Sequence, residues 1–165
     1  MKKYLVILVL ALYGAVQSNA QITWNVRAGG GLVTDMFNVY DSHFDFEVLD
    51  YTENMGLMFA VEANIPVTQG SNWCVSPTAI VSYGENCQVS LPIYWGYKHP
   101  VGDSKLLIPK VGPFVGIDTD GAIFLFGPSV ELAYEHKHFV TAINASLNTI
   151  TRAVPYIFLS VGYKF

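Results

Sequence analysis

Long apolar runs are missing from most of this sequence. One extends from Tyr4 to Val16, and no later stretch approaches the ~18 consecutive apolar residues that indicate a membrane-spanning helix. The 3.6-residue period of an amphipathic helix does not persist after that run either. Helical membrane spans are therefore excluded. Because 52% of the residues are hydrophobic, they must follow another pattern.

Basic residues are scarce. The chain has 9 Lys and Arg against 13 Asp and Glu, and no Lys or Arg occurs between Arg27 and Lys98. Proteins that bind nucleic acids need basic patches to neutralise backbone phosphates. We therefore expect no nucleic-acid partner.

Catalytic and cofactor-binding motifs are also lacking. The sequence has no GxxxxGKS/T, GxGxxG, GxSxG or HExxH pattern, so we expect no catalytic residue, cofactor or metal. His99, His136 and His138 are a candidate metal cluster, but interfacial histidines beside lysines are more often solvated. Gly29-Gly30-Gly31 is not interpreted as a phosphate loop, because no helix follows it. The three glycines are instead predicted to give tight curvature or a bulge.

Cysteine occurs only at Cys74 and Cys87. An exported chain would favour a disulfide. The strands predicted below separate the two by ~25 Å or more at ~3.3 Å per residue, whereas a disulfide needs Cα atoms within ~7 Å. We predict that they are not bridged.

The N-terminus has the features of an export signal. Lys2 and Lys3 precede the short apolar run, and Ser18-Asn19-Ala20 supplies the small residues that signal peptidase recognises. Residues 1–20 are predicted to be a cleaved signal peptide, with residues 21–165 forming a single domain. An uncleaved N-terminal anchor is the alternative.

Alternation of apolar residues dominates the remaining sequence. Eight segments carry them at every second position, which is the period of a β-strand with one apolar face. No charged residue occurs in these sets, which are residues 22–28, 57–65, 75–83, 89–97, 107–115, 124–134, 139–147 and 157–165, each taken at every second position. Residues between them include Asn25, Glu62, Ser90, Tyr94, Ser129, Asn144 and Ser146. Apolar-out and polar-in is typical of a membrane barrel, so we predict an all-β, eight-stranded, antiparallel, up-and-down transmembrane β-barrel.

The last strand carries the most specific signal. Its apolar face continues to the final residue, an aromatic, as expected of a strand that closes a lipid-embedded barrel. The residues of this predicted assembly signal are Ile157, Leu159, Val161, Tyr163 and Phe165.

Residues 34–55 are predicted to form a long external loop, with tight turns near residues 66–72, 99–104 and 135–138 at the opposite end of the barrel. Several prolines lie inside the predicted strands, where they remove a ladder N–H, so some of them are expected at bulges or strand ends. These prolines are Pro77, Pro92, Pro109, Pro113, Pro128 and Pro155.

The chain resembles the small porin-like outer-membrane β-barrel family. The resemblance rests on the exported N-terminus, Gly29-Gly30-Gly31, Leu91-Pro92-Ile93, the segment 111–116 and the aromatic C-terminus. It implies residence in the outer membrane of a Gram-negative bacterium, contact with outer-membrane lipid, and recognition of Tyr163 and Phe165 by the barrel-insertion machinery. That family is functionally mixed, so the resemblance implies no activity.

Four charged residues are predicted to face the barrel interior. An eight-stranded barrel is just wide enough for side chains to fill it, and buried charges require partners. We therefore predict a salt-bridged plug rather than a proton or ion path. Its members are Arg27, Glu62, Lys110 and Glu131.

The predicted external loop is acidic and contains aromatic residues. Its alternation from residue 41 to 47 indicates a ribbon with one acidic face, which we interpret as a solvated contact surface rather than a calcium site. The candidate contact residues are Tyr40, Asp41, His43, Phe44, Asp45, Phe46 and Glu47.

The sequence thus predicts a structural or surface-interaction protein with an unknown extracellular partner. Two alternatives stay open. One is a lipid-modifying barrel enzyme that depends on His43. The other is a soluble, lipocalin-like barrel whose apolar faces line a ligand cavity.

Overall fold

The computed structural model describes residues 22–33, 55–84, 87–119, 123–148 and 154–165. These residues contain nine β-strands, and among them no helix is long and apolar enough to cross a bilayer. The strands are β1 (Thr23–Val33), β2 (Met55–Pro66), β3 (Trp73–Tyr83), β4 (Cys87–Tyr97), β5 (His99–Gly102), β6 (Lys105–Asp118), β7 (Ile123–His136), β8 (Phe139–Asn148) and β9 (Val154–Lys164). The predicted signal peptide, residues 1–20, and nearly all of the predicted loop lie outside the described residues.

The strands form one closed antiparallel sheet. Neighbours follow the order β4-β3-β2-β1-β9-β8-β7-β6, and β4 pairs with β6 to close the circle. β5 also pairs with β6, and His99 opposite Leu107 keeps the register of Gly96 opposite Lys110. β5 therefore continues β4, and the barrel is formed by eight strands. The predicted eight-stranded, up-and-down transmembrane barrel is confirmed.

Two predicted boundaries were wrong. We expected residues 99–104 to form a turn, but His99–Gly102 is a strand, so this hairpin extends further and turns at Asp103 and Ser104. Met55, assigned to the external loop, is the first residue of β2. Both shifts reflect ladder pairing with a neighbouring strand, which the sequence pattern alone does not reveal.

The apolar stripes face outward. Phe59, Phe124 and Val161 have 62%, 67% and 61% of their surface exposed, and the same face of each strand continues this pattern. Ala63 is a buried exception, since it is small and lies opposite Trp24. A soluble barrel with an apolar cavity would have the opposite polarity, so the lipocalin-like alternative is incompatible with this fold.

The interior is layered rather than uniformly polar. One apolar cluster contains Met58, Ala60, Ile80, Tyr156 and Phe158. A second contains Cys74, Ile108, Ala133 and Ala142, with Leu106 packed against it. Charged and polar side chains fill the space between them.

Pro77, Pro92 and Pro113 lie inside strands without bulges, whereas Pro155 is the second residue of β9 and lies at a strand end, as expected of some of the prolines. Beside each of them, two consecutive residue pairs are missing from one ladder, in the strand pairs β2–β3, β3–β4 and β4–β6. The register is the same on both sides of each gap. The β4–β6 seam, for example, passes from Pro92 opposite Phe114 to Trp95 opposite Val111. The barrel thus tolerates the missing N–H groups through local gaps. A register shift occurs instead between Pro100 and Gly102.

Cys74 and Cys87 are both free thiols, as predicted. Cys74 pairs with Gly96 near one end of the β3–β4 hairpin, while Cys87 pairs with Tyr83 at the other end. The length of the hairpin therefore keeps the two sulfur atoms apart.

Two of the three consecutive glycines give the neighbouring strand β9 space. A Cβ atom on Gly29 would collide with the Leu159 carbonyl oxygen and lie 2.7 Å from Ser160 Cα. One on Gly31 would lie 2.5 Å from Phe158 Cδ1. Gly30 points the other way, and the nearest atom to its Cβ would be Gly56 O at 3.4 Å. The run forms regular strand without a bulge, so its role is close approach to β9.

This contrast makes a matched pair of variants. Gly29→Ala should lower the free energy of unfolding by ~1–3 kcal/mol, because the added methyl group overpacks against backbone atoms that cannot move aside. Gly30→Ala should be neutral or stabilising by up to ~1 kcal/mol, since a strand glycine has excess freedom in the unfolded chain. Urea unfolding in lipid vesicles, followed by tryptophan fluorescence, measures both. Equal losses in the two variants would contradict this packing role.

Candidate functional site

Four strands place one charged residue each at the middle of the barrel interior. Arg27 lies on β1, Glu62 on β2, Lys110 on β6 and Glu131 on β7, all on inward-facing positions. Lys110 is directly opposite Glu131 in the β6–β7 ladder. Glu62 lies opposite Asn25, one inward position from Arg27. The structure therefore brings together the four residues that the sequence singled out.

The four side chains form a closed ring of alternating charge, which we call the central cluster. Arg27 Nη2 lies 3.0 Å from Glu62 Oε2 and 2.8 Å from Glu131 Oε2. Lys110 Nζ lies 2.6 Å from Glu62 Oε1 and 2.9 Å from Glu131 Oε1. Each cation thus contacts both carboxylates, and the formal charges cancel.

Neutral polar groups complete the surroundings of Glu62. Asn25 and Asn64 each donate an Nδ2–H to Glu62 Oε1, at 3.0 and 2.7 Å. Asn64 is itself held by the hydroxyl of Ser76 at 2.6 Å. Buried carboxylates are stable only when hydrogen bonds and opposite charges replace water, and this carboxylate has both.

Arg27 is less completely satisfied. Both of its ion pairs use Nη2, while among the described residues Nε and Nη1 have no hydrogen-bond partner, and Asn25 Oδ1 also lacks one. The orientation of the guanidinium group is therefore set through one nitrogen atom, Nη2.

Two glycines make room for the two basic side chains. Gly162 lies opposite Arg27 in the β1–β9 ladder, and a Cβ atom there would lie 2.6 Å from Arg27 Cγ. Gly96 lies opposite Lys110 in the β4–β6 ladder, where a Cβ atom would lie 2.9 Å from Lys110 Cγ. Sequence reasoning missed these residues. The alternation indicated that these two glycines face inward. Which residue lies opposite each of them depended on the register, which the sequence does not reveal.

A second polar network fills the interior beside the central cluster. Tyr94 Oη lies 2.8 Å from Ser129 Oγ, and Asn144 donates Nδ2–H to the same phenol oxygen. Ser129 Oγ also lies 2.7 Å from Ser146 Oγ. These four residues were predicted to face inward or lie between apolar positions, but no sequence signal linked them into one network. Beside them lies a cavity of about 20 Å³, room for roughly one water molecule.

Metal-binding geometry does not emerge from the described part of the chain. It contains no group of three or more His, Cys, Asp or Glu side chains that could hold a metal ion. His138 instead stacks on Tyr163 with ring centroids 5.3 Å apart, and its Nδ1 lies 3.2 Å from the Lys164 carbonyl oxygen.

The proposed assembly-signal residues lie on the outer face of β9. Leu159 and Val161 are 59% and 61% exposed, and Tyr163 contacts Phe165 edge-on at 5.0 Å. β9 pairs with both β1 and β8, so this strand closes the barrel at the two chain ends. The candidate contact residues Tyr40, Asp41, His43, Phe44, Asp45, Phe46 and Glu47 lie outside the described residues.

Comparison with protein-family models gives no match, and comparison with curated proteins gives none either. Solved structures do show the same fold. A structure from the de novo design of transmembrane β-barrels is 14% identical, covers 87% of this chain and 95% of its own, and has a TM-score of 0.52. Ail, the attachment invasion locus protein of Yersinia pestis, is 12% identical with a TM-score of 0.52, covering 88% of this chain and 99% of its own.

Ail in complex with the heparin analogue sucrose octasulfate gives a similar result. It is 11% identical, covers 87% of this chain and 97% of its own, and has a TM-score of 0.51. Identities this low establish similarity of fold alone.

The central cluster should lose stability non-additively when its members are removed. Lys110→Met leaves two buried carboxylates with one cation, and Glu62→Gln leaves two cations with one carboxylate, so each should cost about 3–5 kcal/mol. The double variant retains the neutral Arg27–Glu131 pair. It should therefore cost ~1–3 kcal/mol less than the sum of the two single variants.

Urea unfolding in lipid vesicles measures this coupling. Lys110→Met combined with Lys137→Gln serves as the control, because Lys137 is exposed in a distant turn and its effect should be additive. Additive costs for Lys110→Met and Glu62→Gln would show that the ring does not act as one unit.

Proposed function

We propose that this protein is an outer-membrane β-barrel with a structural or surface-interaction role. The observation that carries the proposal is the polarity of the barrel: apolar side chains cover its outside, and buried charges occupy its inside. In water, the apolar outside would be exposed to solvent at a large cost in free energy. A lipid bilayer stabilises this arrangement. The predicted export signal and the fold shared with Ail both support an outer-membrane location.

The interior is proposed to be plugged by side chains rather than open. Support comes from the central cluster, the Tyr94 network and the two apolar layers, which occupy successive levels of a narrow barrel. The protein would then act through its external surface and would not conduct solutes across the membrane.

Assembly is proposed to depend on β9. Its outward apolar residues and terminal Phe165 fit recognition by the barrel-insertion machinery, as the family resemblance implies. The same strand must pair with β1 to complete the sheet, so recognition of β9 would couple insertion to closure.

Residues 34–54, which join β1 to β2, are proposed as the contact element. They contain Asp35, Asp41, Asp45, Glu47, Asp50 and Glu53 and no Lys or Arg. Ail forms a complex with the heparin analogue sucrose octasulfate, which is a polyanion. An acidic segment would repel a polysulfate, so the partner proposed for this chain carries positive charge and meets the aromatic residues Tyr40, Phe44 and Phe46.

A non-enzymatic role fits this proposal better than lipid modification. His43 and its neighbours are adjacent in a predicted ribbon, where successive side chains point to opposite faces. They would not converge on a substrate without a further conformational change.

The location is tested by fractionating cells that produce the full chain. The barrel should be recovered in the outer-membrane fraction, require detergent for extraction, and migrate differently on gels before and after boiling, because a closed barrel resists unfolding by detergent alone. Inner-membrane proteins and soluble periplasmic proteins serve as fractionation markers. Recovery in a soluble fraction would overturn the proposed function.

The contact element is tested in nanodiscs with two charge-matched variants. Asp41→Asn/Asp45→Asn/Glu47→Gln should weaken binding of a basic protein such as cytochrome c several-fold, because it neutralises the proposed acidic face. Asp35→Asn/Asp50→Asn/Glu53→Gln removes the same charge elsewhere and should have a smaller effect. Interferometry against cytochrome c and against heparin provides the readout. Heparin binding by the unaltered protein, or equal effects of both variants, would refute this assignment.

A further inference from the structure

One rim of the barrel is basic. The hairpin turns at Asp103–Ser104 and Lys137–His138 lie here, together with the end of β9, and we call this end the tight-turn rim. Its lysines are Lys98, Lys105, Lys137 and Lys164. Lys164 forms an ion pair with Glu135 at 2.7 Å, and no ion pair between described residues involves the other three. Lys105 and Lys137 are exposed, and Lys98 is half-buried.

Acidic groups at this rim are few. Glu135 is buried and already paired with Lys164, which leaves Asp103 as the one exposed acid among the described residues of the two hairpin turns. His99 and His138 are also exposed there. The tight-turn rim therefore has an uncompensated positive charge.

Aromatic side chains form a belt at the same end of the barrel, where Trp73 begins β3. Trp73 contacts Trp95 at 6.4 Å and Tyr97 at 4.9 Å between ring centroids. Trp24 lies on the same rim, because its carbonyl oxygen accepts the N–H of Phe165 at 2.8 Å. Tryptophan and tyrosine prefer the level of lipid headgroups, so these rings place this end of the barrel near that level.

The connections at the opposite end are acidic in sequence, with Arg152 as their one basic residue. Asp118 ends β6 there, and the sequence that joins β1 to β2 adds six acids without a single Lys or Arg. A barrel with this asymmetry has one end that repels anionic groups and one end that attracts them.

We propose that the tight-turn rim binds the phosphate groups of anionic phospholipids through Lys98, Lys105 and Lys137. This inference rests on the proposed function, since it requires the barrel to be in a bilayer. The lysines lie at the same end of the barrel as the aromatic belt, and ammonium groups near headgroups attract anionic lipids over zwitterionic ones. The bound lipids would surround this end of the barrel and orient its acidic end toward the other leaflet.

The three tryptophans allow a direct test. Trp24, Trp73 and Trp95 are all the tryptophans of the chain and all belong to the tight-turn rim, so intrinsic fluorescence reports on lipids at this end alone. The barrel is reconstituted in vesicles that mix phosphatidylglycerol with phosphatidylcholine. Quenching is compared when one or the other lipid carries brominated acyl chains, which gives the relative binding constant of the two lipids.

The unaltered protein should prefer phosphatidylglycerol about three-fold or more, and the preference should fall in high salt. Lys98→Gln/Lys105→Gln/Lys137→Gln should reduce the ratio to about one, whereas replacing the same lysines with arginine should preserve it. Heat-dependent gel mobility verifies that each variant is folded. Equal quenching by both lipids in the unaltered protein, or a preference retained by the glutamine variant, would overturn the inference alone. Absence of quenching by either lipid would instead overturn the membrane location on which it rests.

Discussion

A β-strand surrounded by hydrocarbon has no water to satisfy its N–H and C=O groups, so its sheet must close on itself. Closure through the pairs β1–β9 and β4–β6 meets this requirement and abolishes free edges. Each strand then has one face toward the exterior and one toward a narrow lumen. The polarity of the two faces, the need for inward glycines and the proximity of buried charges all follow from that geometry. The gaps beside Pro77, Pro92 and Pro113 mark where the requirement is met least completely.

The narrow lumen also limits the total volume of the side chains that face inward. Arg27 and Lys110 have long side chains, and the strands opposite them provide Gly162 and Gly96, so the volume of each pair remains acceptable. Two carboxylates then neutralise two cations at distances between 2.6 and 3.0 Å. Charge, hydrogen bonding and volume are thus balanced among strands that are distant in sequence. This balance specifies how the strands align, because a shift by one residue would turn the charges outward.

The exterior divides the molecule along its long axis. An apolar belt occupies the middle, aromatic and basic residues gather at the tight-turn rim, and the acidic connecting sequence belongs to the other end. The two ends therefore have different chemistry for different neighbours. The proposed ligands are headgroup phosphates at the first end and a positively charged partner at the second. Neither role requires the interior to open.

The sequence by itself determined the eight alternating segments and the face on which most of their side chains lie, because the period of two is a local property of the backbone. Arg27, Glu62, Lys110 and Glu131 could be assigned to the interior for that reason. Their contacts could not be derived, because the depth of each residue depends on the stagger between neighbouring strands. Only the closed sheet decided that Arg27 meets Gly162, that Tyr94 joins Ser129 and Asn144, and that β5 extends β4. Alternation determines whether each side chain points inward or outward. The register between strands is determined by the pairing and packing of all eight strands together.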